Sequence, residues 1–166
     1  QETYDVVHMR AVLMHLPDPG QAVKKMAAGI RPGGWLLLEE FDWISFGAVD
    51  TENQAAQAFN QKMETLAKEL QNWHVMNLYL GRHLRRMLDQ LAFVNIGIEG
   101  NTGISRGGDP LPMQFQRMNL QLAGPPFIAA GVWTEQDLEL LQRLLADPSF
   151  YYVDGTFFGA WGRRPS

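Results

Sequence analysis

Three groups of residues in this chain have the types and spacing to do chemistry. His8, Met9 and Arg10 close one short apolar run, and His15 follows a few residues later. Histidine changes charge near neutral pH, so His15 is a candidate general base; the plainer alternative is a histidine that braces the start of the next helix. Glu39, Glu40 and Asp42 close a second apolar run. Neighbouring side chains on an extended chain point to opposite faces, so Glu40 shares a face with Asp42 and not with Glu39. That pair could take a proton, bind a polar ligand or hold a cation, or simply mark a solvated strand end. Trp43, Trp73, His74 and Tyr79 form the third group, suited to the apolar wall of a ligand pocket or, equally, to an ordinary core beneath a helix.

Other chemistries find no support. The sequence has no cysteine, which excludes disulfide scaffolds, thiolate zinc sites and cysteine nucleophiles together. No His-Glu-x-x-His or other metal-ligand spacing occurs, and no serine sits in a nucleophile elbow. Gly100-Asn101-Thr102-Gly103 lacks the lysine and the strand-to-helix setting of a phosphate loop. Arg82, His83, Arg85 and Arg86 read as a solvated helix face. A formal charge of −4 gives no footprint for nucleic acid or for an anionic membrane. There is neither a run apolar enough to span a bilayer nor a signal-peptide pattern, and the expected compartment is the cytoplasm. At 166 residues and 46% hydrophobic, the chain is sized for one domain or part of one.

The elements that must position these residues follow from periodicity. Residues 4–9 read as a buried parallel strand, rich in β-formers. Asp18 is placed as the N-cap of a helix with Pro19 at its first position, and Ala22, Val23, Met26, Ala27 and Ile30 form its apolar stripe. Pro32-Gly33-Gly34 stops that helix, and residues 35–40 make a second strand, apolar almost throughout. Residues 52–73 predict one long amphipathic helix with Thr51 and Gln54 as a capping box. A further helix runs through Leu80, Leu84, Leu88 and Leu91, and residues 93–99 form a third strand before a glycine-rich loop. Leu111, Phe115, Met118 and Leu122 mark a short helix ending before Pro125-Pro126. Thr134 and Asp137 cap another helix, and residues 156–163 form the last strand. Alternating strands and helices predict an α/β fold with an open, mostly parallel sheet, whose ligands bind beyond the carboxyl ends of the strands.

The run YDVVHMRAVLMHLPDP followed by AAGIRPGGWLLLEEFDW resembles the fourth strand, following helix and fifth strand of class I S-adenosylmethionine-dependent methyltransferases, and FGAWGRRP resembles their last strand. The resemblance covers the second half of the family's domain and lacks the glycine-rich cofactor turn. It implies a partial Rossmann-like sheet with helices on both faces and strands ordered first, second, last, third, the last one antiparallel. It also implies that residues 1–166 are the C-terminal part of a methyltransferase domain, with inserted substrate-side helices near 52–73 and 109–122. S-adenosylmethionine would be the cofactor of the complete domain. His8, Met9 and Arg10 would lie beside its methionine part, and Leu13 and His15 would follow the chain around the transferring methyl group. Binding by this fragment alone is not expected.

The reaction expected on this basis is methyl transfer to a small molecule, with His15 and Glu40 as catalytic candidates and Asp42, Trp43, Trp73, His74 and Tyr79 on the acceptor side. A second reading is a non-catalytic, methyltransferase-like module. The strand at residues 4–9 would be a cut edge, and the fragment would form a homo-oligomer through it. A nucleotide-binding oxidoreductase is a third reading, since an open sheet alone does not choose a cofactor.

Overall fold

The computed structural model describes residues 4–166. Its elements in order are β1 (Tyr4–Arg10), a 3-10 turn (Leu13–His15), α1 (Pro19–Gly29), β2 (Ile30–Asp42), β3 (Gly47–Ala48), α2 (Gln54–Asn72), a second 3-10 turn (Gly81–His83) and α3 (Leu84–Gln90). There follow β4 (Val94–Asn101), β5 (Ile104–Arg106), α4 (Pro110–Ala129), α5 (Glu135–Ala146), β6 (Tyr151–Val153) and β7 (Thr156–Arg163). The chain divides into two compact units. The first comprises residues up to Ile44, Leu70–Thr102 and Gly155–Ser166; the second comprises Ser45–Glu69 and Gly103–Asp154.

The first unit is built on a four-stranded sheet in the order β1-β2-β7-β4. β1 and β2 are parallel, and β7 is antiparallel to both β2 and β4, as the family resemblance implies. β1 leads to β2 and then β4 in one direction across the sheet, so right-handed crossovers put α1 and α3 on the same face. That face is dry: Leu36, Leu38, Glu40 and Asp42 of β2 and Ala160 and Gly162 of β7 are buried. The opposite face carries Leu37, Phe41, Phe157 and Trp161, all half-buried.

α1 starts where its sequence requires. The Asp18 carboxylate accepts the N–H of Gln21 at 2.8 Å, with Pro19 next to it. β2 begins earlier than expected, at Ile30, because Tyr4 pairs with Ile30 before residues 31–34 bulge out and Val6 resumes pairing with Trp35. Gly33 makes that bulge possible with φ 75°. The chain's end locks it in place: Gly33 donates to the carbonyl of Arg164, and Arg164 donates to that of Gly34. β1 is an edge strand, with Tyr4 and Val6 exposed rather than buried.

The second unit has its own three-stranded antiparallel sheet, β3-β6-β5. Its core is aromatic: Phe59 stands edge-on to Phe150 at 5.0 Å between centroids, and Phe46 lies 5.8 Å from Tyr152. α2 is capped by Asn53, whose side chain accepts the Ala55 N–H, rather than by the expected Thr51–Gln54 box. The box on α5 forms as predicted, with Thr134 and Asp137 each accepting the other's backbone N–H.

α4 departs most from expectation. It continues through Pro125-Pro126, although two prolines forfeit two backbone hydrogen bonds. Packing outweighs that loss. Gly124 lies against Leu138 of α5, and Phe127 is wholly buried, its ring 4.8 Å from Trp133. The Phe127 carbonyl also accepts the N–H groups of Val132 and Trp133, closing the helix end. The stripe that marks the helix in the sequence, Leu111, Phe115, Met118 and Leu122, is exposed.

Candidate active site at the exits of β1 and β2

The exits of β1 and β2 are joined by backbone and carboxylate together. After Arg10 the chain turns sharply at Ala11, whose φ of 50° is left-handed, while its N–H donates to the Glu39 carbonyl at 2.9 Å. The next two N–H groups, of Val12 and Leu13, donate to one oxygen of Glu40 at 2.8 and 2.6 Å. Glu40 is fully buried, and its other oxygen, Oε2, has no hydrogen-bond partner. Burial raises its pKa; the N–H groups of Leu13, Val12 and Met14 and the nearby His15 pull it back only in part. The side chain therefore holds the β1 exit loop and is harder to ionise than an ordinary glutamate.

His15 ends the 3-10 turn on that loop and is exposed, its N–H donating to the Val12 carbonyl. The structure thus brings His15 and Glu40 into electrostatic contact. Leu13 points into the core, so its part is to anchor the loop. Met9 is half-buried, and strand alternation sets it on the opposite face from His8 and Arg10.

His8 and Arg10 meet Glu39 instead. His8 Nε2 lies 2.7 Å from the Glu39 carboxylate and Arg10 lies 3.9 Å from it. The Arg10 guanidinium also stacks 4.7 Å over the Phe157 ring. A concavity of about 460 Å³ opens here, lined by Arg10, Leu37, Glu39, Glu99, Asn101 and Trp161 among others, a size within the range of small-molecule sites.

Asp42, one step on from Glu40 on the buried face, spends both oxygens within the fold. Oδ2 accepts the backbone N–H and Nε of Arg82, each at 2.9 Å, while Oδ1 accepts Arg82 Nη2 at 2.6 Å and the Ile44 N–H at 2.9 Å. Burial raises its pKa, but the Arg82 fork and the two N–H groups outweigh it, and the net shift is downward. Tyr79 lies under the same guanidinium at 4.9 Å. Trp43 sits edge-on to Phe41 at 5.6 Å and donates its N–H to Leu78.

Trp73 and His74 have a different setting. His74 is left-handed, with φ 57°; its N–H donates to Gln71 and that of Val75 to Leu70, a Schellman end to α2. Both side chains are exposed, and of the four expected residues Tyr79 packs on the Asp42–Arg82 pair while Trp43 packs on Phe41. Arg82 is the residue the sequence reading misplaced, as part of a solvated helix face. Its signal was the preceding Gly81: a Cβ there would lie 2.9 Å from the Glu40 carbonyl, so only glycine lets the turn rest on β2.

Among the described residues no cluster of histidine or acidic side chains could hold a metal ion, and no helix is long and apolar enough to cross a membrane. A family model described as "Methyltransferase domain" matches residues 1–96. Methyltransferase str3 of Strobilurus tenacellus is 29% identical over 98 residues, which are 57% of this chain and 34% of that protein. Methyltransferase str2 of the same fungus is 46% identical over 41 residues, 25% of this chain and 15% of its own length. The fold is similar to that of a Bacillus halodurans protein described as a candidate methyltransferase, with TM-score 0.53 and 16% identity, over 99% of this chain and 66% of that one. The chain thus spans between 15% and 40% of the length of the curated relatives it matches.

Proposed function

This chain belongs to the methyltransferase-domain family, with the class I S-adenosylmethionine-dependent fold, and we propose that it is the C-terminal, acceptor-side part of an enzyme that methylates a small molecule. The observation that carries this reading is the joined exit of β1 and β2, where Glu40 holds the loop bearing His15. Ligands of parallel α/β sheets bind beyond such exits. Bound S-adenosylmethionine would supply a methyl carbon on a sulfonium, open to in-line attack by a lone pair of the acceptor as the carbon–sulfur bond breaks and the thioether leaves.

The residues present fit one end of that cofactor. On the concave face the Glu39 carboxylate, flanked by His8 and Arg10, presents negative charge suited to an ammonium group. Leu13 and Met9 fix the backbone around it. No glycine-rich turn between a strand and a helix stands among the described residues to hold the nucleoside end. His15 receives the proton that the acceptor's N–H or O–H gives up. Trp43 and Tyr79 flank the acceptor, while Asp42 acts through Arg82 to keep that wall in place.

Calorimetric titration of the complete gene product with S-adenosylmethionine and its demethylated product is the test. Binding that is lost when the residues preceding this chain are removed supports the reading. No binding by the complete product sinks it. A second reading, a non-catalytic module, is favoured by one observation: β1 is an edge strand with an exposed Val6, ready to pair with a strand from outside the chain. Such a module would bind neither cofactor form at any length.

A further inference from the structure

α4 is apolar on two opposite sides. At 100° per residue, Leu120, Gly124 and Phe127 share one side, and this is the side buried in the second unit. Leu111, Phe115, Met118 and Leu122 fall on the other, and they are 79, 63, 55 and 75% exposed. A helix apolar all round is normally covered all round. The four exposed side chains amount to about 500 Å² of apolar surface, toward the upper end of what monomers show.

We propose that this stripe pairs with the same stripe of a second copy of the chain, α4 against α4 in antiparallel orientation across a two-fold axis. Three features select that occupant. The steps from residue to residue are four, three and four, the 3.5-residue repeat of a seam that packs on another helix. The stripe is also a near-palindrome. A two-fold axis between Phe115 and Met118 sets Leu111 on Leu122 of the partner copy and Phe115 on Met118, matching like with like at the ends and a rigid ring with a pliable thioether at the centre. Its flanks are Gln114, Asn119 and Gln121, all uncharged, so self-pairing brings no like-charge repulsion. Two such stripes bury about 1,000 Å², the lower bound for a specific interface.

The absence of cysteine makes the register directly testable. Leu111→Cys and Leu122→Cys chains are prepared singly, mixed and oxidised. Antiparallel pairing gives a mixed disulfide in the mixture and none with either chain alone, since the two 111 positions lie about 16 Å apart along the helix. In sedimentation the unmodified chain runs at twice the mass of one copy, and Phe115→Glu weakens the dimer at least about tenfold with unchanged circular dichroism. Met118→Lys serves should that variant misfold. Val6→Lys, which alters the β1 edge instead, leaves the dimer intact. A chain that sediments as a monomer at micromolar concentration overturns the proposal. So does a disulfide formed as readily by Leu111→Cys alone, or a dimer that survives Phe115→Glu and is lost with Val6→Lys.

Discussion

Arg82→Met isolates the contact that sequence reading placed in solvent. The substitution keeps most of the side chain's length, removes the fork and leaves Asp42 fully buried with the N–H groups of residues 82 and 44 as its remaining donors. Breaking a buried ion pair from one side costs about 3–5 kcal/mol. Here the surviving N–H bonds and the 36% exposure of the Arg82 side chain reduce that to about 2–3 kcal/mol. With a urea slope of about 2 kcal/mol per molar, the midpoint falls by about 1 M or slightly more. Tryptophan fluorescence is the assay, because Trp35, Trp43, Trp73 and Trp161 all belong to the first unit. The sign with pH follows from the lowered pKa of Asp42. Its contribution is fully present above the unfolded value of about 3.9 and is lost as pH falls through the lower folded value. The gap between the two proteins is therefore widest at neutral pH and closes in acid. A cost below about 0.5 kcal/mol at neutral pH, well under the buried-pair range, or a gap that does not change with pH, refutes the account.

Glu40→Ala leaves the Val12 and Leu13 N–H groups without their acceptor and costs about 1–3 kcal/mol in the same assay, whereas Glu40→Gln keeps an oxygen for them and costs less. Because the Glu40 pKa is raised, the native state holds its proton longer, and stability falls as pH climbs from the unfolded value of about 4.3 through the folded one. Glu40→Gln removes that slope in a pH series of urea midpoints. Gly97→Ala drives a methyl into the Trp161 ring of the neighbouring strand and costs about 1–3 kcal/mol, with a shifted emission maximum as the check. Thr134→Ala removes one half of the α5 capping box and costs about 1 kcal/mol, read from thermal melts followed at Trp133, which adjoins it.

The crossover from β1 to β2 was legible because its signals are local, Asp18-Pro19 at the helix start and an unbroken apolar run in β2, although the helix ends at Gly29, before the Pro32-Gly33-Gly34 expected to stop it. The strand order came from resemblance, since nothing local says that β7 lies between β2 and β4. What local signals could not show was which apolar stripe a neighbour would claim. On α4 the stripe with the regular spacing is the exposed one, and the buried side is held by Gly124 and Phe127 around two prolines that read as a stop. β3, β5 and β6 run two to three residues each, too short for alternation to register. At the site, adjacency in sequence was the weaker guide. Trp73 and His74 belong to a helix end, whereas Arg82 reaches Asp42 across forty positions.

The interior place of β7 bears on how the chain is made. Synthesis runs from the amino end, so β1 and β2 can pair as soon as both have left the ribosome, while β4 emerges with no neighbour to join. Two sheet edges, of β2 and of β4, stay open until translation has passed Arg163. During that interval the nascent chain is a target for chaperones and for mispairing with its neighbours on a polysome. A premature stop codon within β7 would spare His15, Glu40 and Asp42, yet it would take Trp161 from the concavity and leave a sheet in two unconnected pieces.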